Sequence, residues 1–103
     1  MEITVSGKHV EITEPIRTYA QEKAGKLSKY FDHIQSIEVV ADMSQSSQYE
    51  IEMIVHVGRH DPFIATTQGE DLYATIDQTQ SKLERQLANH KEKVKNHKHN
   101  PAG

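Results

Sequence analysis

The chain has 103 residues, 26% of them charged, a formal net charge of −3 and no cysteine. That length suits one domain with a modest core, one sheet under one layer of helices, and the lack of cysteine excludes a disulfide framework, a thiolate metal site and a cysteine nucleophile. The opening MEITVSGKHVEI has no signal-peptide pattern, and no apolar run approaches the roughly 20 residues of a membrane span, so a soluble cytoplasmic protein with no membrane partner is expected.

Ile3 and Val5 alternate with polar neighbours across Glu2–Val5, which predicts a first strand, with Ser6 to His9 as a bend. Thr13 is a candidate N-cap with Pro15 in the first turn, where a missing N–H is harmless. Ile16, Tyr19, Ala20, Ala24, Leu27 and Phe31 then follow helical spacing, predicting a helix from about Glu14 to Tyr30. Lys26 and Lys29 lie on its flank, and Lys23 lies beside the apolar stripe, where its stem can snorkel.

Asp32-His33 breaks this helix. Ile37, Val39, Ala41 and Met43 alternate with Glu38, Val40 and Asp42 in a second strand; after the polar turn Ser44–Gln48, Tyr49, Ile51, Met53, Val55 and Val57 alternate in a third. A turn at Gly58–Asp61 leads through Pro62 to a short fourth strand with Phe63, Ala65 and Thr67 on one side. The last element is a long helix from Leu72. Leu72, Ile76, Leu83, Leu87 and Val94 form a narrow apolar stripe, and Gly69, Glu70 and Asp71 precede it, as suits a helix start.

The order βαβββα predicts an α+β fold: a four-stranded sheet with both helices packed on one face, whose αβββα part resembles double-stranded RNA-binding domains. The opposite sheet face, with Glu38, Asp42, Glu50 and Glu52, is expected to be acidic and wet.

The net charge of −3 argues at first against nucleic acid, but the distribution does not. Residues 1–31 carry five Lys/Arg and four Asp/Glu, net +1; residues 32–77 carry one Arg and nine acids, net −8; residues 78–103 carry six Lys/Arg and two Glu, net +4. A basic face beside an acidic one follows, and the face decides nucleic-acid binding. At roughly 100° per residue, Lys82, Arg85, Gln86, Asn89 and Lys93 share one flank of the long helix, and Lys26 and Lys29 extend it if the helices lie side by side with bases facing. Phosphate neutralisation would supply most of the affinity of such a surface.

Other chemistries lack support. His56 and His60 have metal-ligand spacing but straddle a strand end and a turn, and His97-x-His99 lies in an expected tail, so neither a metal nor a cofactor is expected. No Ser-His-Asp pattern or phosphate-cradling glycine loop is present, so no catalytic residues are assigned. Core packing accounts for Tyr19, Phe31, Tyr49 and Phe63, leaving Tyr30 and Tyr73 as candidate base-stacking rings.

Three runs of sequence carry a family resemblance. Asp71-Leu72-Tyr73-Ala74-Thr75-Ile76-Asp77, Lys82-Leu83-Glu84-Arg85-Gln86-Leu87 and His90-Lys91-Glu92-Lys93 resemble the DMYAAID…KLxRQLxxHKxK signature of the ribosome hibernation promoting factor and ribosome-associated inhibitor family. Ile3-Thr4-Val5-Ser6-Gly7, Val10-Glu11-Ile12-Thr13-Glu14, Lys26-Leu27 and Tyr30-Phe31-Asp32 fit it too, so the resemblance covers nearly the whole chain. It implies a βαβββα ribosome-binding domain, here residues 1–96 with a flexible tail at 97–103. Such a domain sits in the decoding region of the small ribosomal subunit, bound to its rRNA, and excludes mRNA and tRNA in stationary phase or stress. Its rRNA-binding set maps onto Lys26, Lys29, Lys82, Arg85, Gln86, His90, Lys91 and Lys93, and the flank adds Asn89. Thr79 and Gln80 depart from the family's more apolar pattern, which would loosen mid-helix packing. The ending at Gly103 fits a short-form factor, monomeric in solution, that relies on a separate ribosome modulation factor for any ribosome pairing. The alternatives are a general structured-RNA binder and, from an older family name, a sigma-factor modulator of transcription.

Overall fold

A computed structural model describes residues 1–44 and 46–98, with side chains as far as His90. Its elements are β1 (Glu2–Lys8), α1 (Glu14–Gly25), a 3₁₀ segment (Lys26–Lys29), β2 (Ile34–Met43), β3 (Tyr49–Val57), β4 (Phe63–Gly69) and α2 (Leu72–Lys98). The strands lie in the order β1-β2-β3-β4. β1 runs parallel to β2, with α1 as the crossover, and β2, β3 and β4 form the antiparallel meander. α1 packs over β1 and β2, α2 over β3 and β4, and the helices touch each other. The α+β expectation holds: one sheet, two helices, one covered face.

Register aligns the core. Val5 pairs with Val39, Val39 with Met53 and Met53 with Ala65, so one buried row crosses all four strands. Leu27, Ile76, Leu83 and Leu87 close over it, each at most 1% exposed. Such close-packed burial is the main favourable term in folding.

Five local features differ from the sequence reading. β1 continues to Lys8, and the bend falls at His9, whose φ is 58°. The chain then folds back so tightly that a Cβ on Gly7 would meet the Val10 carbonyl at 2.3 Å. α1 stops at Gly25 rather than Tyr30 and tightens into the 3₁₀ segment. Glycine weakens helix propensity there, and the Ser28 hydroxyl donates to the Gly25 carbonyl at 2.9 Å. Because 3₁₀ spacing keeps side chains three apart in line, Leu27 still reaches the core. β2 begins at Ile34, three residues before the expected alternation, and β4 runs on to Gly69.

The fifth difference concerns Thr79 and Gln80, which do not loosen α2. Thr79 is fully buried. Its hydroxyl donates to the Thr75 carbonyl at 2.7 Å and so accepts the Thr67 hydroxyl at 2.8 Å, which ties α2 to β4. Gln80 donates to Glu84 at 2.9 Å. Among the described residues no buried side-chain polar atom lacks a partner, so these polar positions satisfy the rule for buried groups.

Helix starts follow their sequence signals. Thr13 Oγ1 accepts from the Ile16 amide at 3.5 Å, and Asp71 Oδ2 from the Ala74 amide at 3.3 Å. α2 extends through His97 and Lys98; the rest of the expected tail, 99–103, lies outside the described residues.

The uncovered sheet face carries Glu38, Asp42, Glu50 and Glu52, as expected, together with Val40, Ile54 and Ile64. Its acids are partly engaged: His56 Nε2 lies 2.6 Å from Glu38, His9 Nδ1 3.0 Å from Asp42, and Gln68 donates to Glu50 at 2.9 Å. The His9 contact holds the Asp42 carboxyl below its ordinary range. No helix among the described residues is long and apolar enough to cross a membrane.

Candidate nucleic-acid interface

Seen down its axis, α2 has two different flanks. The one facing α1 carries Tyr73, Asp77, Gln80 and Glu84. Asp77 Oδ1 accepts the Tyr19 hydroxyl at 2.6 Å and lies 3.4 Å from Lys23 Nζ. Tyr19 and Tyr73 meet edge to face at 4.9 Å, and Lys23 Nζ lies 5.5 Å from the Tyr19 ring centre. The bond to Asp77, together with burial and the nearby negative charge, raises the Tyr19 pKa from 10.0 to about 12. This flank is a structural joint between the helices.

The other flank runs along β4. Lys82, Arg85 and Asn89 are exposed there, and Gln86 is half-buried. Lys82 Nζ donates to the Thr66 carbonyl and Gln86 Nε2 to the Ile64 carbonyl, each at 3.1 Å. These bonds satisfy outward carbonyls of β4, the last strand in the sheet, and so blunt an edge open to further pairing. They also fix the flank against the sheet. Lys82 and Arg85 line one hollow of ≈ 360 Å³ with Thr67, Asp77, Gln78 and Ser81; Gln86, Asn89 and His90 line the next, of ≈ 300 Å³, with Phe63.

The basic row therefore faces away from α1. The helices lie side by side, but the side between them presents Asp77 and Glu84 rather than facing bases. Lys26 and Lys29 are exposed on the 3₁₀ segment, which continues α1 on the opposite side of α2. The structure thus brings Lys82, Arg85, Gln86 and Asn89 together and leaves Lys26 and Lys29 as a separate pair. None of the ion pairs among the described residues uses Lys26, Lys29, Lys82 or Arg85. The side chains of Lys91 and Lys93 lie outside the described residues.

His90 occupies a place the sequence did not announce. It is half-buried, 5.7 Å from the Phe31 ring, 5.2 Å from Phe63 and 4.6 Å from His60, centre to centre. Phe31 and Phe63 are half-buried and pack against the core as expected while also joining this cluster; Tyr30 packs against the core too, and Tyr73 is taken up by Tyr19, so neither is left as a free stacking ring. His60 stacks on Phe63 at 4.8 Å, while His56 points to Glu38 on the uncovered sheet face, so the two do not converge. Beside this cluster lie Arg59 and His60, to which sequence reasoning assigns no role beyond weighing His60 as a metal ligand. Their only signal is a cation and an imidazole in a turn just ahead of Phe63.

The structure is a four-stranded sheet backed by two helices, with one helix flank basic and fixed to the sheet edge, and comparison with other proteins gives the class. Residues 3–95 match the family described as Sigma 54 modulation protein / S30EA ribosomal protein, and the chain belongs to that family.

Within it, the chain is a homologue of the ribosome hibernation promoting factors. It is 37% identical to that of Escherichia coli over 97 residues, which cover 94% of this chain and 100% of the relative. To that of Pseudomonas putida it is 37% identical over 93 residues, 90% of this chain and 89% of the relative. Among solved structures, the N-terminal domain of Thermus thermophilus Protein Y superposes with a TM-score of 0.78 at 28% identity, covering 87% of this chain and 99% of that one. A ribosomal subunit interface protein from Coxiella burnetii shares the fold, with a TM-score of 0.81 at 24% identity over 89% of this chain and 99% of its own.

Proposed function

We propose that this protein is a ribosome hibernation factor that acts in the cytoplasm by occupying the decoding region of the small ribosomal subunit. The observation that carries this reading is the flank of α2 along β4. Lys82 and Arg85 stand there without carboxylate partners among the described residues, beside the amides of Gln86 and Asn89. Cations left unpaired on a rigid helix suit rRNA phosphates, and neighbouring amides can bond sugar and phosphate oxygens. Lys91 and Lys93 continue the same helix, and Lys26 and Lys29 supply a second contact across it. The body of the domain then fills space that mRNA and tRNA require. No bond is made or broken; inhibition is steric and reversible, and serves stationary phase or stress.

The test is co-sedimentation with purified small subunits, followed by competition with mRNA and initiator tRNA. The protein should pellet with the subunit and lower tRNA retention. Its remaining in the supernatant, or pelleting while tRNA binds undiminished, would refute the reading. Pelleting equally with any structured RNA would favour a general RNA binder. The family's description keeps one further reading in view, modulation of a sigma factor; capture of that factor from purified components, without ribosome binding, would favour it.

In the same reading the protein is a monomer that does not itself link ribosomes, and a separate modulation factor is needed for pairing. Ribosome dimers formed by this protein alone would contradict that.

A further inference from the structure

Beyond the α2 flank lies a cleft of ≈ 570 Å³ at the end of the sheet where β2 begins and β3 ends. Phe31, His33, Gln35, Val57, Arg59 and His60 line it, and its size is that of a small-molecule site. The His60 ring is held from two sides. Its Nδ1 lies 2.6 Å from the Asp61 carbonyl, which can only accept, so Nδ1 carries the proton and donates. The ring stacks on Phe63 with planes 5° apart, and His90 meets its edge. A planar, oriented ring therefore borders the cleft with Nε2 left for another partner.

The remaining lining completes a recognisable chemistry. Phe31 gives a second aromatic surface, the Gln35 carboxamide a donor and an acceptor for a base edge, and the exposed Arg59 guanidinium a phosphate partner. Among the described residues no carboxylate lines the cleft; Asp32 lies in the smaller neighbouring hollow with Tyr30. Through Phe63 and His90 the cleft adjoins the hollow formed by Gln86 and Asn89, so a strand lying on the α2 flank reaches it.

We propose that this cleft holds one unstacked nucleobase of single-stranded RNA, stacked against His60 and Phe31, with its phosphate on Arg59. The inference rests on the RNA-binding reading above. Stacking of this kind tolerates any base and is lost when one ring is removed.

The test avoids the ribosome, so its outcome is independent of ribosome docking. Adenosine monophosphate and ribose 5-phosphate are titrated into the nitrogen-labelled full chain while backbone amide signals are followed. The nucleotide should give saturable shifts in residues 31–35 and 57–60, and the sugar phosphate should not. His60→Ala, with the rest of its amide spectrum unchanged, should bind the nucleotide roughly five- to a hundredfold more weakly. Because that turn could rearrange, Gln35→Ala on β2 provides a second variant, removing the base-edge partner, and should also weaken binding. His56→Ala, on the uncovered face, should bind as the unaltered protein does. Equal shifts with ribose 5-phosphate, no shifts with the nucleotide, or unaltered binding by both cleft variants would overturn the proposal. Saturable binding of an aromatic peptide in the cleft while the nucleotide gives no shifts would assign it to a protein partner instead and equally overturn it.

Discussion

The two flanks of α2 carry opposite charge and do different work. Toward α1, the charge of Asp77 is matched by a hydroxyl and an ammonium, with two tyrosines packed edge to face beside it. Toward β4, Lys82 and Gln86 bond backbone carbonyls and Arg85 extends into solvent, with no acid paired to either cation among the described residues. The difference teaches how to read charge on a helix. A charge matched within the fold holds elements together; a charge fixed in place but unmatched is available to a partner. Counting bases along the sequence cannot make that distinction, and a net charge of −3 hides it.

The largest expected effect comes from removing what both flanks share. Leu83 is fully buried beneath them, and Leu83→Ala should destabilise by about 2–5 kcal/mol, read from the denaturation midpoint. A change near zero would mean that the two flanks do not rest on one core. Next is the latch on the β4 side. Thr79→Val keeps the shape but removes the hydroxyl pair with Thr67, and should cost about 0.5–1.5 kcal/mol. A gain in stability would show that an apolar residue suits this position better, and that the hydroxyl pair is not what joins α2 to β4.

On the α1 side, Tyr19→Phe removes one hydrogen bond to a carboxylate and should cost about 1 kcal/mol, while ribosome binding stays unchanged. This joint also has a pH signature. The folded Tyr19 pKa is raised from 10.0 to about 12, so the fold favours the neutral phenol. Its contribution is complete below pH 10 and is lost as pH rises toward 12. The unaltered protein should therefore lose stability across that window more steeply than the Phe variant, and parallel curves would remove Asp77 from the account. The smallest effect belongs to the uncovered sheet face, where Glu52→Ala should stay within about 0.5 kcal/mol. A large loss there would mean that this face is part of the core.

Much of this architecture was legible from alternation and helical spacing, because burial on one face imposes a period. β3 spans Tyr49–Val57 as its alternation predicts, and α2 begins after Asp71 as its acids predict. The end of α1 was not legible: apolar spacing continues from Ala24 through Leu27 whether the turn is α or 3₁₀. Thr79 looked like a packing defect because its partner, Thr67, belongs to another element. The row Lys82, Arg85, Gln86 and Asn89 was legible as a row, but not the direction it faces, which depends on which strands α2 covers. The cluster of Phe31, His60, Phe63 and His90 was invisible for the same reason, since its members come from separate segments joined only by the fold.

The most direct test of the central claim is the salt dependence of ribosome binding by the double variant Lys82→Gln and Arg85→Gln. Glutamine keeps donors for the Thr66 carbonyl and for neighbouring groups while removing both charges, so the fold and the flank's shape are retained. If the flank along β4 docks on rRNA phosphates, affinity falls and the slope of log affinity against log salt decreases by about two, one for each phosphate that is no longer neutralised. The paired variant Tyr19→Phe should keep the original slope. A double variant that remains folded and binds with an unchanged slope would contradict the account and move the interface elsewhere on the molecule.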